Sequence, residues 1–269
     1  MPSSAPLQVS ALLLSQEHLQ GAYWRMRLRS PEVCRLASPG QFVQLRLPAL
    51  EGHILRRPFS ICDVEDGETL TLVYKVVGAG TDSMTRLAPG ASLDLLAPLG
   101  HGFSRPAPGR PLVLLGGGYG CAAMLFTARR RREEGADAPL VLLGARSQGD
   151  ILLEREFRSL GCPVEISTDD GSLGLQGRIT LLLETALRKA PDAFLQACGP
   201  MPMLKAVSQM AAQAPQAQCE VSLDERMCCG VGACFGCVVK ARDASSPEGW
   251  RYLRSCKEGP VFPAEDLLW

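Results

Sequence analysis

The 269-residue sequence carries no net charge, because Lys and Arg together number 28 and Asp and Glu also number 28. Without a global basic field, nothing draws the chain to nucleic acid or to an anionic lipid surface. Long apolar runs are missing too. Runs such as Pro111–Leu115 and Pro139–Leu143 fall far short of the ~20 residues that cross a bilayer. No basic stretch precedes the short apolar run in MPSSAPLQVSALLLS, so this segment does not read as a signal peptide. Internal repeats and low-complexity tracts are absent as well. Hydrophobic residues make up 46%, the ordinary globular level. At ~100–200 residues per domain, the chain accommodates two or three domains. The expectation is a cytoplasmic protein with neither nucleic acid nor membrane as a partner.

Cysteine, by contrast, is abundant. Eleven cysteines in a chain expected in a reducing compartment argue for metal binding or redox chemistry rather than structural disulfides. Six of them lie between Cys219 and Cys256, so the excess is local.

The character of the chain changes twice. From Leu7 to Gly102, short apolar runs (YWRMRLRS, GQFVQLRLP, SICDV, LTLVYKVV, SLDLLAPLG) alternate with Pro and Gly turns, which predicts an antiparallel sandwich or barrel. Ser104–Pro111 (SRPAPGRP) reads as a linker. Four strand–helix alternations follow, starting with PLVLLGGG and a helix with an apolar face and a basic far side, and they predict a parallel sheet. From about Gln216 the chain becomes the Cys-rich tail. The expected fold is therefore multidomain, β followed by α/β, with boundaries at 1–105, 109–215 and 216–269.

The strongest motif is CGVGACFGC. Its intervals, Cys229-x4-Cys234-x2-Cys237 and then eighteen residues to Cys256, follow the plant-type [2Fe–2S] spacing. Three thiolates must converge on a small inorganic core from one tight loop, and glycines at 230, 232 and 236 give the backbone that freedom. A structural zinc site is the rival. It usually needs paired C-x2-C knuckles, and only Cys234 and Cys237 have that spacing. Cys228 adjoins Cys229 but stands five residues from Cys234, so Cys229 fits better. Cys34, Cys62, Cys121 and Cys162 read as buried apolar thiols, and Cys219 as a strand thiol.

Weaker motifs lie upstream. LLGGGYG sets Gly116, Gly117, Gly118 and Gly120 where a strand hands over to a helix, which suits a pyrophosphate, although such turns also arise for steric reasons alone. Cys198-Gly199-Pro200 ends the fourth strand of that region, where open α/β sheets bind ligands. Arg56-Arg57-Pro58-Phe59-Ser60 offers a guanidinium for a phosphate and a strand hydroxyl for a ring edge. Val73-Tyr74-Lys75 and Gly80-Thr81 suit stacking and phosphate binding, as would any exposed strand and tight turn. Arg146-Ser147 lies where a 2′-phosphate would sit, or is a solvated loop arginine.

Taken in order, R-P-F-S, V-Y-K, G-T, G-G-G-Y-G, C-G-P and the thiol cluster resemble the ferredoxin–NADP reductase-like flavoproteins. The run Leu223–Cys234, the segment Cys256–Phe262 and the loop Thr168–Gly174 resemble the electron-transfer subunits of type B dihydroorotate dehydrogenases. The resemblance covers essentially the whole chain. It implies an FAD-binding β-barrel, an α/β domain for the nicotinamide cofactor, and a small C-terminal [2Fe–2S] lobe. By that resemblance Arg57, Pro58, Phe59 and Ser60 contact the flavin and its pyrophosphate, and Val73, Tyr74, Lys75, Gly80 and Thr81 hold the rest of the FAD. Gly116 to Gly120 and Cys198 to Pro200 face NAD. Cys229, Cys234, Cys237 and Cys256 ligate iron. The partner implied is an FMN-containing catalytic subunit in a heterotetramer of two of each, serving pyrimidine biosynthesis. Dihydroorotate reduces that FMN, and electrons pass singly through the cluster to FAD and then to NAD⁺; no residue acts as acid or base. Two departures are the cysteine at 228, where relatives carry a small residue, and a long loop before Cys256. Reductase subunits of ferredoxin- or sulfide-linked enzymes and a zinc-stabilised regulatory module are the alternatives.

Overall fold

The computed structural model describes residues 6–47 and 54–269. The first five residues of the segment read against a signal peptide lie outside that range. The remainder of that segment becomes the longest strand, β1 (Leu7–Gln20). It is followed by β2 (Tyr23–Arg29), α1 (Pro31–Leu36), β3 (Phe42–Leu45), β4 (Arg57–Ser60), β5 (Asp63–Glu65), β6 (Thr69–Lys75), α2 (Ala79–Met84) and β7 (Ser92–Leu99). The strands form one antiparallel sheet in the order β4-β3-β7-β1-β2-β6-β5. It curls toward closure: β4 lies beside β6, and the Cys62 amide donates to the Thr71 carbonyl at 2.9 Å. β2 shows why, since Met26 and Leu28 are buried while Arg25, Arg27 and Arg29 alternate with them outward. The Gly80–Thr81 turn opens a short helix rather than joining two strands.

Past the linker come β8 (Leu112–Gly117), α3 (Ala122–Glu133), β9 (Leu140–Ala145), α4 (Glu154–Ser159), β10 (Val164–Thr168), β11 (Leu175–Gln176), α5 (Ile179–Lys189), β12 (Phe194–Cys198), α6 (Met201–Ala212) and β13 (Gln218–Ser222). Next are β14 (Val238–Arg242), β15 (Trp250–Arg254) and β16 (Val261–Pro263). The second sheet runs β11-β10-β9-β8-β12-β13-β16, parallel except for β16. Chain order reverses at β8, with β9 on one side and β12 on the other. That topological switch point puts the Gly116 and Cys198 ends side by side, as their Cα pairing shows.

Two features differ from the sequence reading. In α3 the polarity runs lengthwise: Ala122 through Ala128 are all buried, and Arg130–Glu133 extend beyond the core. The tail from Gln216 begins with β13, a strand of the α/β sheet, and returns to that sheet through β16. Residues 223–260 thus form a lobe inserted between two neighbouring strands, and β14 and β15 pair as a separate hairpin inside it. The long loop before Cys256 is the turn of that hairpin, closed by Asp243 N–H to the Gly249 carbonyl at 3.0 Å.

One apolar core joins barrel to sheet, with Tyr23, Cys62 and Val73 packing against Leu112, Leu114 and Cys121. Polar pairs flank it. Arg129 holds buried Asp63 through Nε at 2.7 Å and Nη2 at 2.6 Å, and Arg25 pairs with Glu156. No helix among the described residues is long and apolar enough to cross a membrane.

Candidate functional site

The switch point opens a cavity of about 680 Å³, lined by Gly117, Gly118, Tyr119 and Pro200 from the two glycine-bearing turns. The glycines serve different ends. A Cβ at Gly116 would lie 2.6 Å from Cys121 Cβ, one at Gly117 2.8 Å from Pro200 Cδ, and one at Gly120 2.6 Å from the Cys198 carbonyl carbon. These three let the turns pack together. Gly118 instead has φ +53° and meets nothing, so it lets the backbone turn at the cavity edge. Gly199 seals the joint, with a built Cβ 3.0 Å from Gly117 Cα.

Residues from other parts of the chain complete this cavity. Tyr23 donates to Asp150 at 2.6 Å and accepts from Lys75 Nζ at 3.1 Å. Lys75, read as part of the flavin set, therefore carries its ammonium into the cavity beside Gly117 and Gly118. Arg146, Asp169 and Arg178 line the other side. The loop after β10 is braced by Thr168 Oγ1 donating to the Leu173 carbonyl at 2.8 Å and by Ser172 on Asp170 at 2.6 Å. No local signal marks Tyr23 and Asp150, which are 127 positions apart.

A second, narrower cleft opens beside β4. Pro58, Phe59 and Ser60 line it with Phe42 from the barrel, Cys198 and Ser222 from the sheet, and Asp224, Met227 and Pro260 from the lobe. The barrel, the sheet and the lobe all contribute to this cleft. Tyr119, from the cavity, donates to Asp224 of the cleft at 2.6 Å, so the two spaces adjoin. Of the two adjacent arginines, Arg56 is committed to Asp94 at 2.7 Å and holds that carboxyl below its usual range. Among the described residues Arg57 donates only to the Leu55 and Arg56 carbonyls, and its guanidinium faces Gly80, a position that suits an anion. Thr81 Oγ1 accepts from the Val77 amide at 2.9 Å and shapes that loop. Val73 and Tyr74 have buried side chains; Tyr74 packs against Phe59 with ring centres 5.9 Å apart and planes tilted by 59°, backing the cleft from inside the barrel.

In the lobe, the four thiols fall into two pairs. Cys229 neighbours Cys234, and Cys237 neighbours Cys256. The Cys256 amide also points at Cys237 Sγ at 3.4 Å. Among the described residues no three metal-binding side chains close on a single point, as one zinc ion would need. Two thiolates for each of two irons is the arrangement a [2Fe–2S] core takes, so the donor set fits that group. Burial opposes ionisation of Cys229, but the amides of Val231, Cys234 and Ala233, with the Cys234 thiol, together bring its pKa down to about 6. The Ala233 amide lies 3.3 Å from its sulfur. Burial pushes the Cys198, Cys219 and Cys256 thiols up to about 12, and Cys34 and Cys162 to about 11. Gly230 and Gly232 take left-handed turns at φ +72° and +83°, and Phe235 takes a third at +56°. A Cβ at Gly236 would touch the Cys228 and Cys234 sulfurs at 3.6 Å, an ordinary contact that does not demand glycine there. Arg254 braces the loop, donating to the Gly232 carbonyl at 2.9 Å and stacking on Phe235 at 5.0 Å.

Residues 224–268 match the model of the iron-sulfur cluster binding domain of dihydroorotate dehydrogenase B. A dihydroorotate dehydrogenase B (NAD(+)) electron transfer subunit from Desulforamulus reducens is 38% identical over 245 residues, covering 91% of this chain and 92% of that protein. The subunit of the same name from Enterococcus faecalis is 35% identical over 261 residues, covering 95% and 96%. Among solved structures, an NADH-dependent reduced ferredoxin-NADP oxidoreductase superposes with a TM-score of 0.81 at 26% identity, over 100% of this chain and 92% of that one. A ferredoxin NADP+ reductase from Neisseria gonorrhoeae with bound FAD and NADP shares the fold, with a TM-score of 0.67 at 20% identity over 80% and 99% of the two chains.

Proposed function

The chain belongs to the family of dihydroorotate dehydrogenase B electron transfer subunits, and on that premise we propose that it carries electrons from a dihydroorotate-oxidising catalytic subunit to NAD⁺. Its resident groups are FAD and one [2Fe–2S] cluster. The catalytic subunit holds FMN, the assembly contains two of each subunit, and it works in the cytoplasm. When bound, flavin trades a two-electron hydride with a nicotinamide and single electrons with an iron–sulfur centre.

The observation that carries this reading is the cleft lined by all three parts of the molecule. Pro58, Phe59 and Ser60 present a strand edge for the flavin ring, and the Arg57 guanidinium, which meets no carboxylate among the described residues, suits its pyrophosphate. On one side the cleft adjoins the glycine-lined cavity, through Tyr119 and Asp224. On another, Met227 leads into Cys228 and the ligand loop. Gly116, Gly117, Gly118, Gly120, Cys198, Gly199 and Pro200 shape the nicotinamide side. Cys229 and Cys234 serve one iron, and Cys237 and Cys256 the other. NAD as the nicotinamide acceptor is taken from the named relatives, since Asp169 shares the cavity with Arg146 and Arg178. No protein acid or base is required; alignment is the chain's contribution.

The test is Cys237→Ser in protein purified anaerobically with its natural partner. Cluster absorbance and dihydroorotate:NAD⁺ turnover should vanish while bound FAD remains. Turnover retained at the wild-type rate would overturn the ligand assignment. A colourless, zinc-containing wild-type protein would overturn the reading itself.

A further inference from the structure

Gln44 on β3 is fully buried, and neither its amide nitrogen nor its amide oxygen has a hydrogen-bond partner among the described residues. A buried carboxamide with both ends unpaired is rare in a folded protein, and it marks a partner still to be supplied. Its neighbours show where that partner belongs. Val43 and Leu45 point into the barrel core, whereas Phe42, on the other face of the strand, packs with Met227, Cys237 and Cys256. Gln44 shares the Phe42 face. Gly230, next to Cys229, rests on it: a Cβ at Gly230 would fall 2.5 Å from Gln44 Cγ and 2.9 Å from its Nε2. Across the strand pair Gln44 sits opposite Pro58, which lines the flavin cleft.

We propose that Gln44 is a positioning residue for the iron–sulfur centre, its carboxamide N–H serving as hydrogen-bond donor to sulfur at the Cys229 end. A donor aimed at sulfur stabilises the extra negative charge of the reduced centre, and so raises its reduction potential. The barrel that holds the flavin thereby sets the poise of the cluster, using a side chain from neither the ligand loop nor the sheet. This rests on the reading above, that the lobe binds a [2Fe–2S] cluster.

The experiment is a redox titration of the anaerobically purified holoprotein, following the cluster by electron paramagnetic resonance and the flavin by absorbance. Gln44→Leu removes the donor, and Gln44→Glu replaces it with an acceptor of the same length. Both should keep iron and FAD at wild-type levels. The cluster midpoint should fall relative to the flavin by about tenfold in the equilibrium between them, which is 59 mV for one electron. Gln44→His, which restores a donor, should recover most of the shift. If either iron-replete variant titrates at the wild-type cluster midpoint, or if the flavin midpoint moves instead, the proposal fails. Absence of iron from the wild-type protein would overturn the underlying reading and the proposal with it.

Discussion

This molecule has two glycine-rich loops, and they use glycine for different reasons. In Gly116–Gly120 the missing side chains let two turns touch, because Cβ atoms at Gly116, Gly117 and Gly120 would overlap Cys121, Pro200 and Cys198. In the ligand loop, Gly230 and Gly232 supply left-handed backbone that wraps the chain around its own thiols. The first loop is shaped by what packs against it and the second by its own dihedral angles. A nucleotide is long and needs a preformed wall; a cluster is small and needs a tight local cage.

The largest effect expected from this contrast is at Gly120. Gly120→Ala forces a methyl into the Cys198 carbonyl and should cost about 3 kcal/mol, the upper end for overpacking, and abolish measurable NADH binding. Gly118→Ala, with open space but a positive φ, should cost only about 1 kcal/mol. Urea unfolding of the two variants checks this, and equal losses would refute the packing account.

A smaller, more local effect is expected at Gly230. Gly230→Ala combines a φ of +72° with overlap on Gln44, so iron should be lost on purification. NADH affinity, measured by fluorescence quenching, should stay within twofold of wild type. A parallel fall in both would mean that the two loops do not behave as separate units.

The smallest effect sharpens the electrostatic side. With its pKa lowered to about 6, Cys229 in cluster-free protein is a thiolate at neutral pH, and loses that form as pH falls through 6. Its alkylation by iodoacetamide should therefore rise with a midpoint near pH 6. Cys256, held up near 12 by burial, should remain unmodified at pH 8. Peptide mass mapping separates the two sites. A Cys229 midpoint near the ordinary thiol value would show that the loop amides do not hold the charge.

Much of this was legible along the chain. Cys229, Cys234 and Cys237 declare themselves by spacing, since a loop of nine residues has few ways to close on a small core. The β–α alternation from Leu112 onward declares a parallel sheet because each period is short and local. The long strand β1 was hidden, because its exposed Leu12 and Leu14 blur the alternation with buried Ala11 and Leu13. The entry of β13 and β16 into the α/β sheet was hidden as well. A three-residue edge strand has too little pattern to show where it pairs.

By itself, then, the sequence determined the local chemistry: four thiols at iron-binding spacing, glycines at two kinds of turn, and a β region followed by an α/β region. Only the tertiary structure decided which of Arg56 and Arg57 meets a carboxylate among the described residues, because Asp94, thirty-eight residues away, claims Arg56. It decided that Lys75 joins Tyr23 and Asp150 at the glycine-lined cavity, and that Gln44, without a hydrogen-bond partner among the described residues, lies against the loop at Gly230. The physical reason is one of range. Spacing within a turn constrains neighbours directly, whereas contacts across a hundred residues exist only once the buried faces of barrel, sheet and lobe have packed.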